Sequence, residues 1–366
     1  MGWSESSIPS LFPPLLSRDG ILMTHIDPIV FPRLAENEAL FRRVFILLAL
    51  LYTVLLLVSP QLGPSDEFAF LSTLQSGKYF PMYGEDFAYY NTVELGRFGP
   101  LGGQEYNLVA IFTNSPTGYF AFNAVELLLS AIILTWILRQ YSTTPALVYL
   151  AGVLLLLTPG LTLAYFKLVS IEKNVLFLLS GFIAAFLLFQ KRQQAVYFVL
   201  ALLCANAAIY YKEPVFAAIA VFAGAHLILA WKTSTRPSRV LDGMLIASAM
   251  LYLGIYLVTV FPYIKGSYLP STDDYNFFIR AKNIANYALS SDPIPVLILI
   301  PLLFWRLFLV FGRRLPAHPI LDPMLAAGAS YMGVFFVLNM YGPYYLLPAY
   351  AFILPPVVYF LGRGEL

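Results

Sequence analysis

The 366-residue sequence predicts an all-α membrane protein, a polytopic bundle of about ten transmembrane helices. Hydrophobic residues make up 59% of the chain and charged residues only 11%, and the mean hydropathy is +0.74. Soluble globular proteins carry about 25% charged residues, so this chain lacks the polar surface that water requires. The charges also lie in short clusters, and the apolar runs between them are long enough to cross a hydrocarbon core about 30 Å thick.

Apolar runs of about the length of a membrane span, near 20 residues, occur at about ten places. The predicted spans are residues 44–59, 119–138, 146–166, 174–189, 195–210, 214–231, 240–262, 293–311, 324–340 and 345–361. Residues 1–43 form a predicted cytoplasmic tail, and residues 44–366 form the transmembrane domain with its loops. Because Met23 offers a second start, we assign no function to residues 1–22.

The orientation follows from lysine and arginine in the short loops, which favour the cytoplasmic side. With ten spans and both termini in the cytoplasm, one set of basic residues falls on that side: Arg42, Arg43, Arg139, Lys191, Arg192, Lys232, Arg236, Arg239, Arg313, Arg314 and Arg363. The sequence therefore predicts a multi-pass protein of the cell (inner) membrane with cytoplasmic termini.

Two long loops, residues 60–118 and 263–292, then lie on the extracytoplasmic side. Loops of this length between spans are usually functional, so we expect the functional site there. The first loop is predicted to begin with a juxtamembrane helix on the membrane surface, with Ser65 as its N-cap and Gly77 at its end. Asp66 and Glu67 fill its first turn. They either stabilise the helix dipole or supply a partly desolvated general base.

Two short extracytoplasmic turns carry charges of interest. Glu172 lies in the turn between the third and fourth spans, where it is either a solvated partner of Lys173 or a ligand for sugar hydroxyls or a divalent cation. Lys212 precedes Pro214, which suits the first position of a helix. Its ammonium group either reaches the lipid headgroups or helps the helix N-terminus to bind an anion.

Three further groups have two interpretations each. Arg97, in a Gly-Arg-Phe-Gly-Pro turn, either contacts a substrate or lies at the membrane surface. Glu126 and His226 lie inside predicted spans, where ionisable groups are expensive and either have a function or are satisfied by neighbouring Asn, Ser or Tyr groups, which is what we expect here. The single cysteine, Cys204, can form no internal disulfide and has no metal-binding spacing.

The order of these motifs resembles the GT-C superfamily of lipid-linked-sugar glycosyltransferases. The resemblance is to the branch of the protein mannosyltransferases and lipid A aminoarabinose transferases, glycosyltransferase family 39-like. The shared features are an acidic residue after the first span, a second in the turn between the third and fourth spans, a Lys-x-Pro that opens the sixth span and a closing Tyr-x-Leu-Pro. Here they are Asp66, Glu172, Lys212 to Pro214, and Tyr345 to Pro348.

This resemblance implies roles for individual residues. Asp66 would be the catalytic base with Glu67 as its acidic neighbour, and Glu172 would lie near the acceptor or a metal. Lys212 would face the donor phosphate, and Tyr345 would contribute to substrate binding. The chain departs from the pattern where Gly342-Pro343 replaces an arginine and where Glu213 replaces a glycine. Arg280 or Lys282, in the second long loop, is expected to substitute for the missing arginine.

The implied function is transfer of a sugar from a polyprenyl-phosphate donor to an extracytoplasmic lipid, glycan or protein, with inversion at the anomeric carbon. The resemblance assigns no definite cofactor. It leaves open whether a divalent cation takes part in the reaction. The net charge of +2, without a basic patch, does not indicate a nucleic-acid partner. The alternatives are a transporter or flippase, whose charges would lie near the midplane, an outer-face polysaccharide polymerase that depends on Arg97 and Arg280, and a structural subunit.

Overall fold

The computed structural model describes residues 36–60, 96–142, 144–264, 276–290, 292–338, 340 and 342–363. Within these ranges the regular elements are helices: α1 Glu38–Val58, α2 Gln104–Ala110, α3 Pro116–Tyr141, α4 Pro145–Leu156, α5 Pro159–Phe166, α6 Glu172–Arg192, α7 Ala195–Tyr211, α8 Val215–Leu229, α9 Arg236–Thr259, α10 Phe277–Ser290, α11 Ile300–Phe311, α12 Leu321–Val337 and α13 Tyr350–Arg363. Short 3₁₀ turns occupy Phe261–Tyr263 and Leu347–Ala349, and a π-helix, Pro295–Leu299, precedes α11.

Each predicted span coincides with an apolar helix or helix pair. Four described helices, α1, α3, α6 and α9, are long and apolar enough to cross a bilayer, and α4 with α5 would make a fifth. The other five predicted spans correspond to apolar helices of 10–17 residues. The regular structure of the described residues is thus all-helical with several membrane-spanning candidates, and the count of about ten stays a prediction.

The third predicted span is broken rather than continuous. Helices α4 and α5 meet at an angle of 58°. Thr158 stands at the break, where its hydroxyl accepts a hydrogen bond from the Leu161 N–H at 3.4 Å and caps α5. Pro159 follows as the first residue of α5, a position where its missing N–H costs no helical hydrogen bond.

The helices pack against neighbours both near and far along the chain. Helices α6 and α7 form a tight hairpin whose turn places Gln193 in the left-handed region at φ 52°. Helix α8 packs against both α9 and α12, whereas α9 and α12 make almost no contact with each other. Helix α1 packs on α3 and α4 and leaves most of its apolar surface exposed, as lipid contact requires.

The charged turns lie at two ends of this bundle. At one end, the Thr235 hydroxyl donates to the Gln193 side-chain oxygen at 2.7 Å, and the Ser238 hydroxyl donates to Gln190 at 2.9 Å. This end carries basic residues of the predicted cytoplasmic loops. The turns before α6 and before α8 meet at the other end of the α6–α7 hairpin, where the candidate site lies.

Candidate functional site

A buried ion pair joins the two charged turns that the sequence singled out. The Lys212 ammonium donates to Glu172 Oε1 at 2.8 Å, and the two side chains are only 2% and 3% exposed. The second oxygen, Oε2, accepts a hydrogen bond from the Ser170 hydroxyl at 2.8 Å. Burial lowers the pKa of Lys212, while attraction to Glu172 opposes that shift. A buried charge needs such a partner, so the pair fixes both turns against each other.

The turn that carries Glu172 is held by its neighbour Lys173. The Lys173 ammonium donates to the carbonyl oxygens of Leu168 and Ser170, at 2.8 and 2.6 Å, and to the Tyr106 hydroxyl at 2.8 Å. All three of its donors are therefore used. The sequence had suggested a local Glu172–Lys173 pair, but the structure turns Lys173 toward α2 and leaves Glu172 to Lys212.

Residues 96–110, which we call the outer strap, cross over the ends of α7 and α9. The Leu101 N–H donates to the Tyr210 carbonyl at 3.1 Å. From α9, the Tyr252 hydroxyl donates to the Phe98 carbonyl at 2.6 Å and the Tyr256 hydroxyl to the Gly96 carbonyl at 3.0 Å.

This crossing is close because Gly99 has no side chain. A Cβ atom there would lie 2.8 Å from the Tyr211 carbonyl oxygen. Gly96 adopts φ +75°, in the left-handed region that favours glycine. The two glycines of the Gly-Arg-Phe-Gly turn thus let the strap reach the helix ends and present Arg97 to the site.

Arg97 meets Glu213 from the turn before α8. Its Nε lies 3.7 Å from Glu213 Oε1, and the same oxygen accepts the Phe98 N–H at 2.9 Å. Burial alone would raise the pKa of Glu213, but Arg97 and then Lys212 outweigh it and hold the pKa below its usual value. Glu213 is therefore an ionised group that ties the outer strap to α8.

The closing segment adds an aromatic wall. The Lys212 ammonium lies over the Tyr345 ring, 5.1 Å from its centroid, within the range of a cation–π contact. Tyr345 in turn stacks on Phe335 of α12, with ring centroids 5.2 Å apart and planes at 9°. Tyr345 therefore lies beside Lys212.

An open cavity lies next to these groups, with about 530 Å³ of empty space including its mouth. Its polar side is formed by Arg97, Lys212 and Glu213. The remaining lining is mostly apolar or aromatic and comes from the outer strap, the turn before α8, and the ends of α9 and α12 with the residues that follow them: Gly96, Pro214, Tyr256, Ile264, Phe335, Leu338 and Met340. The cavity thus offers cations at one side and hydrocarbon-like surface at the other.

The other predicted site residues lie elsewhere or outside the described ranges. Arg280, on α10, is buried beside the end of α12, where it donates to the Phe336 carbonyl at 3.5 Å. Lys282 is exposed on the same helix. Asp66, Glu67 and the predicted helix of residues 65–77 lie outside the described residues.

The intramembrane groups have polar partners, as expected. The Asn174 amide donates to Glu126 at 3.4 Å, and His226 Nδ1 lies 2.8 Å from Asp242 Oδ2. Sequence reasoning did not identify Asp242, although an acid in an apolar run was a visible signal.

The sequence analysis also assigned no role to Glu213, which it noted only as a departure from the family motif. Its position between Lys212 and Pro214 at a helix start was the available signal. The structure brings Arg97, Glu172, Lys212 and Tyr345 together and adds Glu213 to them.

The described residues contain no group of three or more His, Cys, Asp or Glu side chains placed to hold a metal ion. Glu172 has both carboxylate oxygens engaged by Lys212 and Ser170. A cation beside the Lys212 ammonium would be repelled, so this arrangement suits an anionic ligand better than a metal.

Comparison with known proteins gives one structural likeness. No protein-family model matches the chain, and no curated protein matches it in sequence. The crystal structure of ArnT from Cupriavidus metallidurans bound to undecaprenyl phosphate has a similar fold, with a TM-score of 0.54 at 14% sequence identity. The match covers 86% of this chain and 59% of that one, so the chain spans about three fifths of the length of ArnT. On this likeness, the described bundle shares its fold with ArnT.

Proposed function

We propose that this protein is a membrane glycosyltransferase that takes a sugar from a polyprenyl-phosphate donor and gives it to an extracytoplasmic acceptor. One observation carries the proposal. In a GT-C-like fold, Arg97 and Lys212 share an open cavity with a mostly apolar wall. A lipid phosphate is the ligand class that needs both features at once.

The phosphate would lie at the polar side of the cavity. Lys212 and Arg97 supply positive charge there, and the N-terminus of α8 adds its dipole from the same turn. Charge develops on the phosphate oxygen as the glycosidic bond to the donor breaks. Preorganised cations at that oxygen stabilise the transition state more than the ground state.

The lipid would reach the cavity from the side. Helices α9 and α12 flank α8 but scarcely touch each other, and the apolar lining comes from the ends of these two helices. An isoprenoid chain could therefore lie along α8 while its headgroup meets Lys212. No water-soluble nucleotide donor is needed for such a reaction.

The chemistry we propose is a direct displacement. The acceptor oxygen or nitrogen attacks the anomeric carbon, the bond from that carbon to the phosphate oxygen breaks, and polyprenyl phosphate leaves. Asp66, by its resemblance to the GT-C base, accepts the proton of the acceptor. Attack opposite the leaving group inverts the configuration at the anomeric carbon.

The test is transfer by the purified full chain in proteoliposomes with a radiolabelled polyprenyl-phosphate sugar and membrane extract as acceptor. We expect a labelled product from the wild type and from Arg236→Gln, an exposed arginine at the opposite end of the bundle. Asp66→Asn and Arg97→Gln should each lower the rate by at least about a hundredfold.

Two outcomes would replace the proposal. Movement of labelled lipid across the vesicle without a new glycosidic bond would identify a transporter or flippase. Full activity of Asp66→Asn, with loss in Arg97→Gln and Arg280→Gln, would favour a polysaccharide polymerase.

A further inference from the structure

The two cations at the cavity already have anionic partners within the described part of the chain. Lys212 is paired with Glu172 at 2.8 Å, and Arg97 is paired with Glu213 at 3.7 Å. The four charges sum to zero, so an incoming phosphate meets no net attraction from them. Tight phosphate binding therefore requires one carboxylate to move away from its cation.

The two carboxylates are not equally able to move. Glu172 is 3% exposed, does not line the cavity, and holds short hydrogen bonds to Lys212 and Ser170. Glu213 is 18% exposed, lines the cavity, and makes the longer ion pair. Displacing Glu172 would strand a charge in the interior, which is expensive, whereas Glu213 can turn into the open cavity.

We propose that the Glu213 carboxylate is a built-in competitor for the donor phosphate, which must displace it from Arg97 to bind. This inference rests on the proposed function and concerns the same cavity. Its consequence is a weakened affinity for both the lipid-linked donor and the polyprenyl phosphate product. After transfer, Glu213 returns to Arg97 and helps the charged product to leave, so this residue sets the balance between binding and release.

The side chain has a second role that a suitable variant keeps. Glu213 Oε1 accepts the Phe98 N–H and so holds the outer strap. In Glu213→Gln the amide oxygen can still accept that hydrogen bond while the negative charge is lost. A gain in phosphate affinity in this variant would report on charge competition, because structural damage would weaken binding instead.

The experiment measures the dissociation constants of three probes by isothermal titration calorimetry with the detergent-solubilised full chain. The probes are farnesyl phosphate, inorganic phosphate and farnesol. For Glu213→Gln we expect farnesyl phosphate to bind about tenfold tighter than to the wild type, with farnesol unchanged. Glu36→Gln, at an exposed position before α1, should match the wild type for all three probes.

The inorganic phosphate arm separates two sources of the same chemistry. If the affinity for inorganic phosphate rises in Glu213→Gln as much as the affinity for farnesyl phosphate, the headgroup alone competes with Glu213. If only the affinity for farnesyl phosphate rises, the lipid chain is needed to bring the phosphate to the site. A circular dichroism spectrum of Glu213→Gln that matches the wild type guards against a folding defect in this variant.

Equal or weaker farnesyl phosphate binding in folded Glu213→Gln overturns the inference. If the wild type itself binds farnesyl phosphate well in that case, the proposed function stands without it. If neither the wild type nor the folded variants bind farnesyl phosphate, the lipid-phosphate function and the inference fall together.

Discussion

Removal of the Lys212 charge should destabilise the protein through the partner that it leaves behind. In Lys212→Met the buried Glu172 would lose its cationic partner while keeping its hydrogen bond from Ser170. Two unit charges 2.8 Å apart attract by about 6 kcal/mol at an effective dielectric constant of 20. Glu172 can recover part of that loss by taking up a proton. We therefore expect the free energy of unfolding to fall by about 3 kcal/mol, the low end for a broken buried pair.

The assay is reversible unfolding in mixed detergent micelles at pH 7.5, followed by tryptophan fluorescence or circular dichroism. The double variant Glu172→Gln/Lys212→Met removes both charges at similar volume and should recover at least half of the loss, since no unpaired carboxylate remains. Lys191→Met, an exposed lysine at the other end of α6, should stay within about 0.5 kcal/mol of the wild type.

The reasoning is refuted if Lys212→Met unfolds at the wild-type denaturant concentration. It is also refuted if the double variant is less stable than the single one, because the two charges would then not depend on each other. Either result would mean that the buried pair does not organise the two turns.

Two further predictions concern stability elsewhere in the bundle. His318 Nδ1 accepts hydrogen bonds from backbone N–H groups at the start of α12, and burial lowers the pKa of His318 to about 4. In the unfolded chain the histidine takes up its proton near pH 6.5. The free energy of unfolding should therefore be at its full value above pH 6.5 and fall by up to about 3 kcal/mol as the pH drops toward 4. A flat unfolding profile between pH 7.5 and 4.5, or one no steeper than that of His318→Gln, would contradict this. Gly99→Ala should destabilise the protein by about 1–3 kcal/mol because its Cβ would lie 2.8 Å from the Tyr211 carbonyl oxygen. The control Gly243→Ala, in open space on α9, should be neutral or stabilising by up to about 1 kcal/mol. Equal stabilities of the two variants in chemical denaturation would disprove the close contact at Gly99.

Helix positions were predictable because apolar runs are local. The short linker at 190–194 was predicted to separate two spans, and α6 ends at Arg192 while α7 begins at Ala195. The bend between α4 and α5 was not predicted. Pro159 was visible in the sequence, but hydropathy is the same for a straight span and for a broken one.

The site was predictable only in part. Glu172 and Lys212 were singled out because both are charges in short turns at the same predicted face, and they meet across 40 residues. The alternative that paired Lys173 with Glu172 did not anticipate the contact of Lys173 with Tyr106, which lies 67 residues away in the chain. The hydrogen bond between Phe98 and Glu213 joins residues 115 positions apart in the chain, and no local sequence pattern indicates it.

By itself, the sequence determined that the chain is a bundle of apolar helices with most of its charges in the turns, because the transfer of side chains from water to hydrocarbon is a local and nearly additive property. Only the tertiary structure decided which charges meet and which of them face the cavity. Ion pairing depends on how helix ends far apart in the chain are brought within a few ångströms, and the packing of α6, α7, α8 and the outer strap sets those distances.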